Sequence, residues 1–202
     1  MPEVRALPRE AERAAADVVA AAFLHDPGWC AVGPRSEGRR LRMVRGYTRG
    51  LLAAARRWGD PVLGAYDGDR VVGVLIAFAE GRYPPPLWAM AFEARGIVPA
   101  GPPTWVRGLR GQAVLDAGHP DEPHVFVSFL AVSPDSQRKG AGRALLGDVI
   151  ADADSRDVPV YLDTANPDNL PYYRSFGFEP TGEARLPRDT PAWYLLRPVG
   201  AT

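Results

Sequence analysis

The stretch SPDSQRKGAGRALLGDVI, residues 133–150, joins a basic turn to the start of a helix. Gly140 and Gly142 leave the backbone of the turn without side chains, and Arg138, Lys139 and Arg143 place positive charge around it. The first turn of a helix leaves backbone N–H groups without acceptors and carries roughly half a positive charge from the helix dipole. Phosphate is the ligand that such a turn suits best, so the stretch predicts a phosphate site.

The turn follows an apolar strand and precedes an amphipathic helix. Residues 124–132, HVFVSFLAV, are apolar on both faces, which is typical of a strand inside a sheet. Leu145, Leu146 and Val149 begin the buried stripe of the helix. The Gly-Lys-Ser/Thr of a Walker A loop is absent, and Leu145 stands where a dinucleotide fingerprint has its third glycine. On this stretch alone, a glycine-rich turn closed by a capped helix is the alternative to a ligand site.

The remaining hydrophobic patterns predict an α/β fold. Asp67 and Gly68 supply the tight turn of a hairpin whose second strand, 71–78, is apolar on both faces. The other predicted elements are a strand at 4–7, helices at 9–24 and 38–58, one or two helices within the irregular residues 80–123, a strand at 158–164, a short helix at 169–176, and closing strands at 178–186 and 192–198. Residues 25–34 are predicted to break the first helix. This order predicts a mixed sheet covered by helices on both faces, with a ligand crevice beyond the carboxyl end of a central strand.

Composition is that of an ordinary globular protein and predicts one domain over residues 1–202. Hydrophobic residues make up 46% of the chain, and 24 basic side chains balance 24 acidic ones. This balance argues against a broad surface for nucleic acid or an anionic membrane. Because the sequence has no secretory segment and no membrane-length apolar run, we expect a cytoplasmic protein without a membrane partner. Cys30, the only cysteine, excludes an internal disulfide and reads as a small buried hydrophobe rather than a nucleophile.

Two motifs resemble those of a known family. The segment Gln137–Gly142 resembles the Q/R-x-x-G-x-G/A turn of the GNAT superfamily of acetyl-CoA-dependent N-acetyltransferases. Residues 165–178, ANPDNLPYYRSFGF, are similar to the family's second signature, an asparagine, then a tyrosine, then Gly-Phe. The resemblance runs from about His124 to the C-terminus and is only topological before it. It implies a mostly antiparallel central sheet, acetyl-CoA as cosubstrate with no metal, a cofactor-binding core at 124–202 and an acceptor side mainly at 1–123.

The resemblance also implies roles for individual residues. The turn that would hold the CoA pyrophosphate consists of Gln137, Arg138, Lys139, Gly140, Ala141, Gly142 and Arg143. The strand edge that would bind the pantetheine arm, and place an N–H against the thioester oxygen, consists of Leu130, Ala131 and Val132. Asn166 matches the asparagine that contacts the cofactor arm. Tyr173, four residues before Gly177, matches the tyrosine that protonates the departing thiolate.

Spacing alone leaves alternatives for the second signature. Asn169 and Tyr173 are four residues apart and would share a helix face. Pro171 is tolerated only in the first turn of a helix, which places Asn166 in the preceding loop. Asn169 is therefore a cofactor contact or an N-cap. Tyr173 is a general acid or a half-buried aromatic, and Tyr172 is expected to pack.

The sequence assigns no general base. The family often has Glu or His on the strand before the glycine turn, but the expected inward positions here hold Phe126 and Ser128. The other candidates, each with a solvated or capping role as its alternative, are Asp26, Glu80, Glu93, His119, Glu122, His124 and Asp163. A water relay, or an amine whose pKa is already low, would serve equally well.

The acceptor is expected to be a small-molecule amine. Residues 169–178 and the C-terminal TPAWYLLRP look most like the puromycin N-acetyltransferase branch of the superfamily. Aromatic residues that could wall an acceptor pocket, or belong to the core, are Trp29, Tyr47, Tyr83, Trp88 and Trp105. The alternatives are an enzyme that acetylates a protein N-terminus or lysine, and a non-catalytic acyl-CoA-binding regulatory module. A homodimer is compatible with the sequence, and no nucleic-acid partner is expected.

Overall fold

A seven-stranded sheet organises the chain in the computed structural model, which describes residues 2–201. The strands are β1 (Glu3–Ala6), β2 (Val62–Asp67), β3 (Arg70–Phe78), β4 (Val125–Val132), β5 (Val160–Thr164), β6 (Glu179–Leu186) and β7 (Thr190–Arg197). Their order is β1-β2-β3-β4-β5-β7-β6, and β4 and β5 are the one parallel pair in it. The predicted mixed, mostly antiparallel sheet is confirmed.

Helices cover both faces of the sheet, as predicted. They are α1 (Glu12–Ala22), α2 (Pro27–Val32), α3 (Glu37–Trp58), α4 (Leu87–Ile97), α5 (Pro102–Asp116), α6 (Ala141–Ser155) and α7 (Leu170–Arg174). On one face, Phe126, Phe129 and Tyr161 share an apolar cluster with residues of α1 and α3. On the other face, Val127 and Leu162 pack with α6. We call these the α3 face and the α6 face. None of the helices within residues 2–201 is both long and apolar enough to cross a bilayer.

The largest departure from the predicted elements lies at residues 25–34. The sequence predicts a break there, but residues 27–32 form α2. The Asp26 carboxylate accepts a hydrogen bond from the Trp29 amide at 3.1 Å, and Pro27 occupies the first helical position, where its missing N–H costs nothing. A six-residue helix has too few turns to show a periodic apolar pattern. The first helix is also shorter than predicted, because residues 9–11 form a 3₁₀ turn before α1.

The central strands β4 and β5 diverge. They pair at Val125 with Val160 and at Phe126 with Tyr161, after which β5 continues beside β7 alone. Strand β4 also carries a bulge, because Phe129 and Val127 pair with consecutive residues of β3 and leave Ser128 as the extra residue. Phe126 therefore faces inward as predicted, whereas Ser128 interrupts the alternation. Beyond Phe126, the edge of β4 that faces β5 borders a gap in the sheet.

Candidate active site

The edge of β4 presents unpaired backbone groups to this gap. The Ser133 amide donates to the Val72 carbonyl at 2.8 Å, which makes Val132 opposite Gly73 a non-hydrogen-bonded pair. By alternation, the N–H and C=O groups of Leu130 and Val132 point toward the gap, and those of Ala131 point toward β3. The Val132 carbonyl accepts a hydrogen bond from the side chain of Gln137, with Nε2 at 3.3 Å from the oxygen. The edge can therefore take an extended ligand in the manner of an added strand.

The glycine turn leaves a run of free amides at the end of β4. None of the six amides from Arg138 to Arg143 donates to a protein acceptor within residues 2–201. Gly140, which precedes α6, has a φ of +90°, where L side chains are strained, and Arg138 is left-handed at +60°. Concave runs of main-chain N–H groups at a helix start bind anions. The predicted phosphate cradle therefore has the geometry that it requires.

The basic side chains of the turn lie around the cradle on its exposed rim. Lys139 Nζ donates to the Asp135 carbonyl at 2.8 Å, which uses one of its three hydrogens. The Arg143 guanidinium lies over the Phe176 ring, 4.8 Å from its centroid. These contacts hold two positive charges near the free amides without neutralising them.

The hydroxyl of Tyr172 lies beside the first turn of α6. A Cβ built on Gly142 would come within 3.0 Å of this hydroxyl and 3.5 Å of Val132 Cγ2. The hydroxyl is buried and has no hydrogen-bond partner among residues 2–201. Burial raises the pKa of Tyr172 to about 12, although Arg143 acts in the opposite direction. The packing role predicted for Tyr172 therefore leaves its hydroxyl unexplained, and adjacency to Tyr173 was its only signal in the sequence.

Tyr173 of α7 is buried on the α6 face, in the cluster that contains residues of α6 and Phe178. Its ring centroid is 5.9 Å from that of Phe178, in an edge-to-face arrangement. Burial raises the pKa of Tyr173 well above its usual value of 10, and the neighbouring Tyr172 and Asp163 act in the same direction. The phenol is therefore fully protonated near neutral pH and can donate a proton.

The capping role that spacing suggested for Asn169 belongs to Asn166 in the structure. Asn166 Oδ1 accepts from the Asp168 amide at 3.1 Å and caps a 3₁₀ turn over Pro167–Asn169. Asn169 lies directly before α7, as predicted, but its side chain caps nothing and instead donates to Thr164 Oγ1 at 3.4 Å. The cap moves to Asn166 because the 3₁₀ turn extends the helical segment by three residues.

Three of the five predicted pocket aromatics lie on the α3 face of the gap. Trp29 and Tyr47 are 5.3 Å apart between centroids, and Tyr47 is 6.0 Å from Phe129 of β4. Tyr83 contacts Phe126 at 5.0 Å. The remaining two, Trp88 and Trp105, are each 39% exposed and face outward. The α3 face therefore forms an aromatic wall beside the gap.

Three of the candidate bases are exposed or make other contacts. Glu80 forms an ion pair with Arg156 at 3.4 Å on the surface. Glu122 is exposed, and its backbone carbonyl, not its carboxylate, contacts His124. Asp26 caps α2. The Glu80 and Glu122 carboxylates therefore lie at the surface. The Asp26 carboxylate, whose pKa is raised by burial, lies near Asp163 but is held by the cap of α2.

The other candidates lie on the α3 face. Glu93 Oε1 is buried without a partner among residues 2–201, and burial raises the pKa of this carboxyl, although the nearby Tyr47 hydroxyl acts in the opposite direction. His119 Nδ1 is 3.1 Å from His124 Nε2, and burial lowers the pKa of His119 to about 4. Burial raises the pKa of Asp163 on β5 to about 7. A general base must be unprotonated at the working pH and still basic enough to take a proton from the substrate. Asp163 meets both conditions best.

Comparison with known proteins agrees with this geometry. The family model described as the acetyltransferase (GNAT) family matches residues 35–178. Among solved structures, a histone acetyltransferase HPA2-related acetyltransferase from Corynebacterium glutamicum is 21% identical, with a TM-score of 0.74 over 100% of this chain and 98% of that one. The ribosomal-protein-S18-alanine N-acetyltransferase from Escherichia coli is 18% identical, with a TM-score of 0.59 over 100% and 96%.

A third similar structure is the C-terminal condensation domain of Ebony in complex with β-alanyl-dopamine. It is 12% identical, with a TM-score of 0.65 over 98% of this chain and 99% of that domain. These three likenesses show the same fold. The matched residues 35–178 include the open strand edge, the glycine turn and the second signature, so the chain belongs to the GNAT family of acetyltransferases, which take their acyl group from acetyl-CoA.

Proposed function

We propose that the protein transfers the acetyl group of acetyl-CoA to the primary amine of a small molecule, by direct attack within a ternary complex. The observation that carries the proposal is the run of six free amides, Arg138 to Arg143, at the end of a strand with an open edge. Residues 124–202 supply most of the cofactor side. Residues 1–123 supply most of the acceptor side.

The chain would hold acetyl-CoA through backbone groups. The amides of the glycine turn bind the pyrophosphate, and Gly140, Ala141 and Gly142 keep side chains out of the way. Leu130 and Val132 bind the pantetheine arm through the edge of β4, and Asn166 and Asn169, which follow β5 in the chain, contact the same arm. When bound, the cosubstrate supplies a thioester as the acetyl donor. A free N–H of β4 stabilises negative charge on its oxygen, and Tyr173 gives a proton to the departing sulfur.

A small acceptor is supported by the aromatic wall on the α3 face. Trp29, Tyr47 and Tyr83 suit an apolar amine, whereas an extended peptide requires an open polar groove. This is the substrate class expected of the puromycin N-acetyltransferase branch, which residues 169–178 and the C-terminal TPAWYLLRP resemble. Protein substrates named for two of the similar structures favour the second candidate, acetylation of a protein N-terminus or lysine.

Turnover assays separate these functions. The pure protein is mixed with acetyl-CoA and a panel of arylalkylamines, aliphatic diamines, puromycin, and peptides with a free N-terminus or lysine, and thiol release is followed. Catalytic amounts of enzyme keep the background from its one thiol, Cys30, negligible. Acetylation of amines but not of peptides supports the proposal, and the reverse supports the second candidate. Binding of CoA with no transfer to any acceptor would leave the regulatory-module alternative.

Replacing Tyr172 with phenylalanine is expected to weaken CoA binding about 5-fold while leaving kcat within 2-fold. The variant removes a buried hydroxyl that lies beside Gly142 and has no protein partner, so a hydrogen bond to the bound cosubstrate is what it would lose. Calorimetric titration with CoA measures the affinity. An unchanged affinity would show that the hydroxyl does not contact the cosubstrate.

A further inference from the structure

Asp163 lies where the two central strands have just separated. It comes two residues after Tyr161, the last residue of β5 that pairs with β4. Side chains alternate along a strand, and Leu162 packs on the α6 face, so Asp163 projects from the α3 face together with Tyr161. Its register partner on β7, Tyr194, belongs to the same face. Asp163 therefore borders the gap from the side of the aromatic wall.

Asp163 and Tyr173 border the gap from opposite faces of the sheet. Tyr173 belongs to the α6-face cluster, and the Asp163 carboxylate is nevertheless close enough to raise its pKa. A thioester that lies along the free edge of β4 would therefore have a phenol on one side and a carboxyl group on the other. This is the arrangement that a transfer with separate acid and base requires.

The charged groups that face Asp163 are acidic. They are Asp26, directly before α2, and Asp116, at the end of α5. The other titratable groups around it are Tyr47 on α3, Tyr83, Tyr161 on β5 and Tyr194 on β7. The Tyr161 hydroxyl is fully buried and has no hydrogen-bond partner among residues 2–201. Asp116 is exposed and already accepts hydrogen bonds from Tyr83 and Gln112. The partnerless Tyr161 hydroxyl, beside the Asp163 and Asp26 carboxylates that form no ion pair among residues 2–201, indicates a cationic ligand with hydrogen-bond donors.

We propose that the acceptor enters as an ammonium ion beside Asp163, and that the Asp163 carboxylate is the general base that deprotonates it. The inference rests on the proposed acetyl transfer. The ammonium gives one proton to Asp163, and the freed lone pair forms the C–N bond. The C–S bond breaks, and the sulfur takes the proton of Tyr173. The second nitrogen proton restores the phenol, and Asp163 releases its own proton to water. The net products are the amide, the thiol of CoA and one proton.

The histidine pair is the main competitor for the role. The Glu122 carbonyl can only accept, so His124 Nδ1 donates to it at 2.8 Å, and the neutral His124 Nε2 then accepts from His119 Nδ1. This leaves a lone pair on His119 Nε2, which is buried without a partner among residues 2–201. With a pKa of about 4, His119 is far less able than Asp163 to hold a proton from an amine. His119 is therefore the weaker candidate for the general base.

Asp163→Asn tests the assignment. At pH 8 we expect kcat/KM for the best amine of the panel to fall about 100-fold, and the Kd for CoA to stay within 2-fold. In the wild type, kcat/KM should rise with pH through about 7, because Asp163 must be ionised to act, and the variant should lack this limb. The matched control is Asp148→Asn, which removes an exposed carboxylate of α6 and should leave both the rate and the profile unchanged.

A stability measurement tests the half-buried Asp163 carboxylate without an activity assay. The folded pKa of Asp163 is raised, so ionisation costs stability once the pH exceeds the unfolded value of 3.8, and the cost grows up to about pH 7. Asp163→Asn should therefore raise Tm by about 5 °C at pH 8.5 and far less at pH 4.5.

If the wild type transfers acetyl groups and Asp163→Asn keeps both its rate and the rise of kcat/KM with pH, the assignment of Asp163 is wrong. A loss of kcat/KM in His119→Ala would then identify the histidine as the base. If the wild type acetylates nothing, the proposed function fails. The Tm comparison still tests whether the pKa of Asp163 is raised in the folded protein.

Discussion

Replacing Gly142 with valine is expected to raise the Kd for CoA about 1000-fold. A Cβ at this position would meet the Tyr172 hydroxyl at 3.0 Å and Val132 Cγ2 at 3.5 Å, and valine adds two methyl groups to this crowded first turn of α6, so we expect the free amides to be displaced or covered. Each hydrogen bond from an amide to a phosphate contributes about 1.5–3 kcal/mol, so the loss of two or three accounts for the change. Calorimetric titration of the folded variant with CoA measures it.

The matched control lies in the same helix. An added Cβ at Gly147 would meet nothing within 4 Å, so Gly147→Ala should leave CoA affinity unchanged and stabilise α6 slightly. At Gly140 nothing blocks a Cβ either, but the φ of +90° disfavours one. Gly140→Ala should therefore weaken CoA binding through backbone strain, by less than the change at Gly142. Full affinity in both Gly142→Val and Gly140→Ala would remove the glycine turn from the cofactor site.

The order of elements could be predicted because its signals are local. The strand at 124–132, the glycine turn and α6 each carry a pattern of apolar residues or glycines within one segment, and the structure has all three. The hairpin of β2 and β3 was equally visible through Asp67 and Gly68. Helix α2 was missed because its signals, the capping Asp26 and Pro27, act over only four residues. The same residues are also consistent with a break between helices.

The proposed base, Asp163, could not be singled out among the candidates in the sequence, for a physical reason. The position of Asp163 depends on where β5 leaves β4, which is a pairing between distant segments, and on the acidic neighbours that α2 and α5 bring to it. Spacing within VPVYLDT contains neither fact. The bulge at Ser128 is similarly invisible in the alternation of β4, because it arises from the register with β3.

The proposed acid and the proposed base lie on opposite faces because the sheet itself separates them. The α6 face brings Tyr173 to the gap through α7, and the α3 face brings Asp163 through the alternation of β5. Both pKa values are raised by burial, Asp163 to about 7 and Tyr173 above its usual 10, so one group is largely ionised at pH 8 while the other is protonated. The division of roles therefore needs no rearrangement before the chemistry begins.

Replacing Tyr173 with phenylalanine is expected to lower kcat about 1000-fold while the Kd for CoA stays within 2-fold. The ring remains, so its packing against Phe178 and the α6-face cluster is kept, and only the proton donor is lost. Without that proton the sulfur must leave as a thiolate in a buried site, which general-acid catalysis normally avoids with a gain of 10²–10⁴-fold. Steady-state rates with the best amine of the panel, together with calorimetric titration of CoA, measure the two quantities.

The adjacent tyrosine provides the comparison. Tyr172→Phe removes the phenol hydroxyl of a half-buried residue one position away, and we expect it to change CoA affinity rather than turnover. Opposite patterns in the two variants would assign binding to one hydroxyl and proton donation to the other. A Tyr173→Phe enzyme with unchanged kcat would mean that the sulfur takes its proton from another group. Tyr172 would then be the first residue to examine, because its hydroxyl lies on the same side of the gap and has no partner among the described residues.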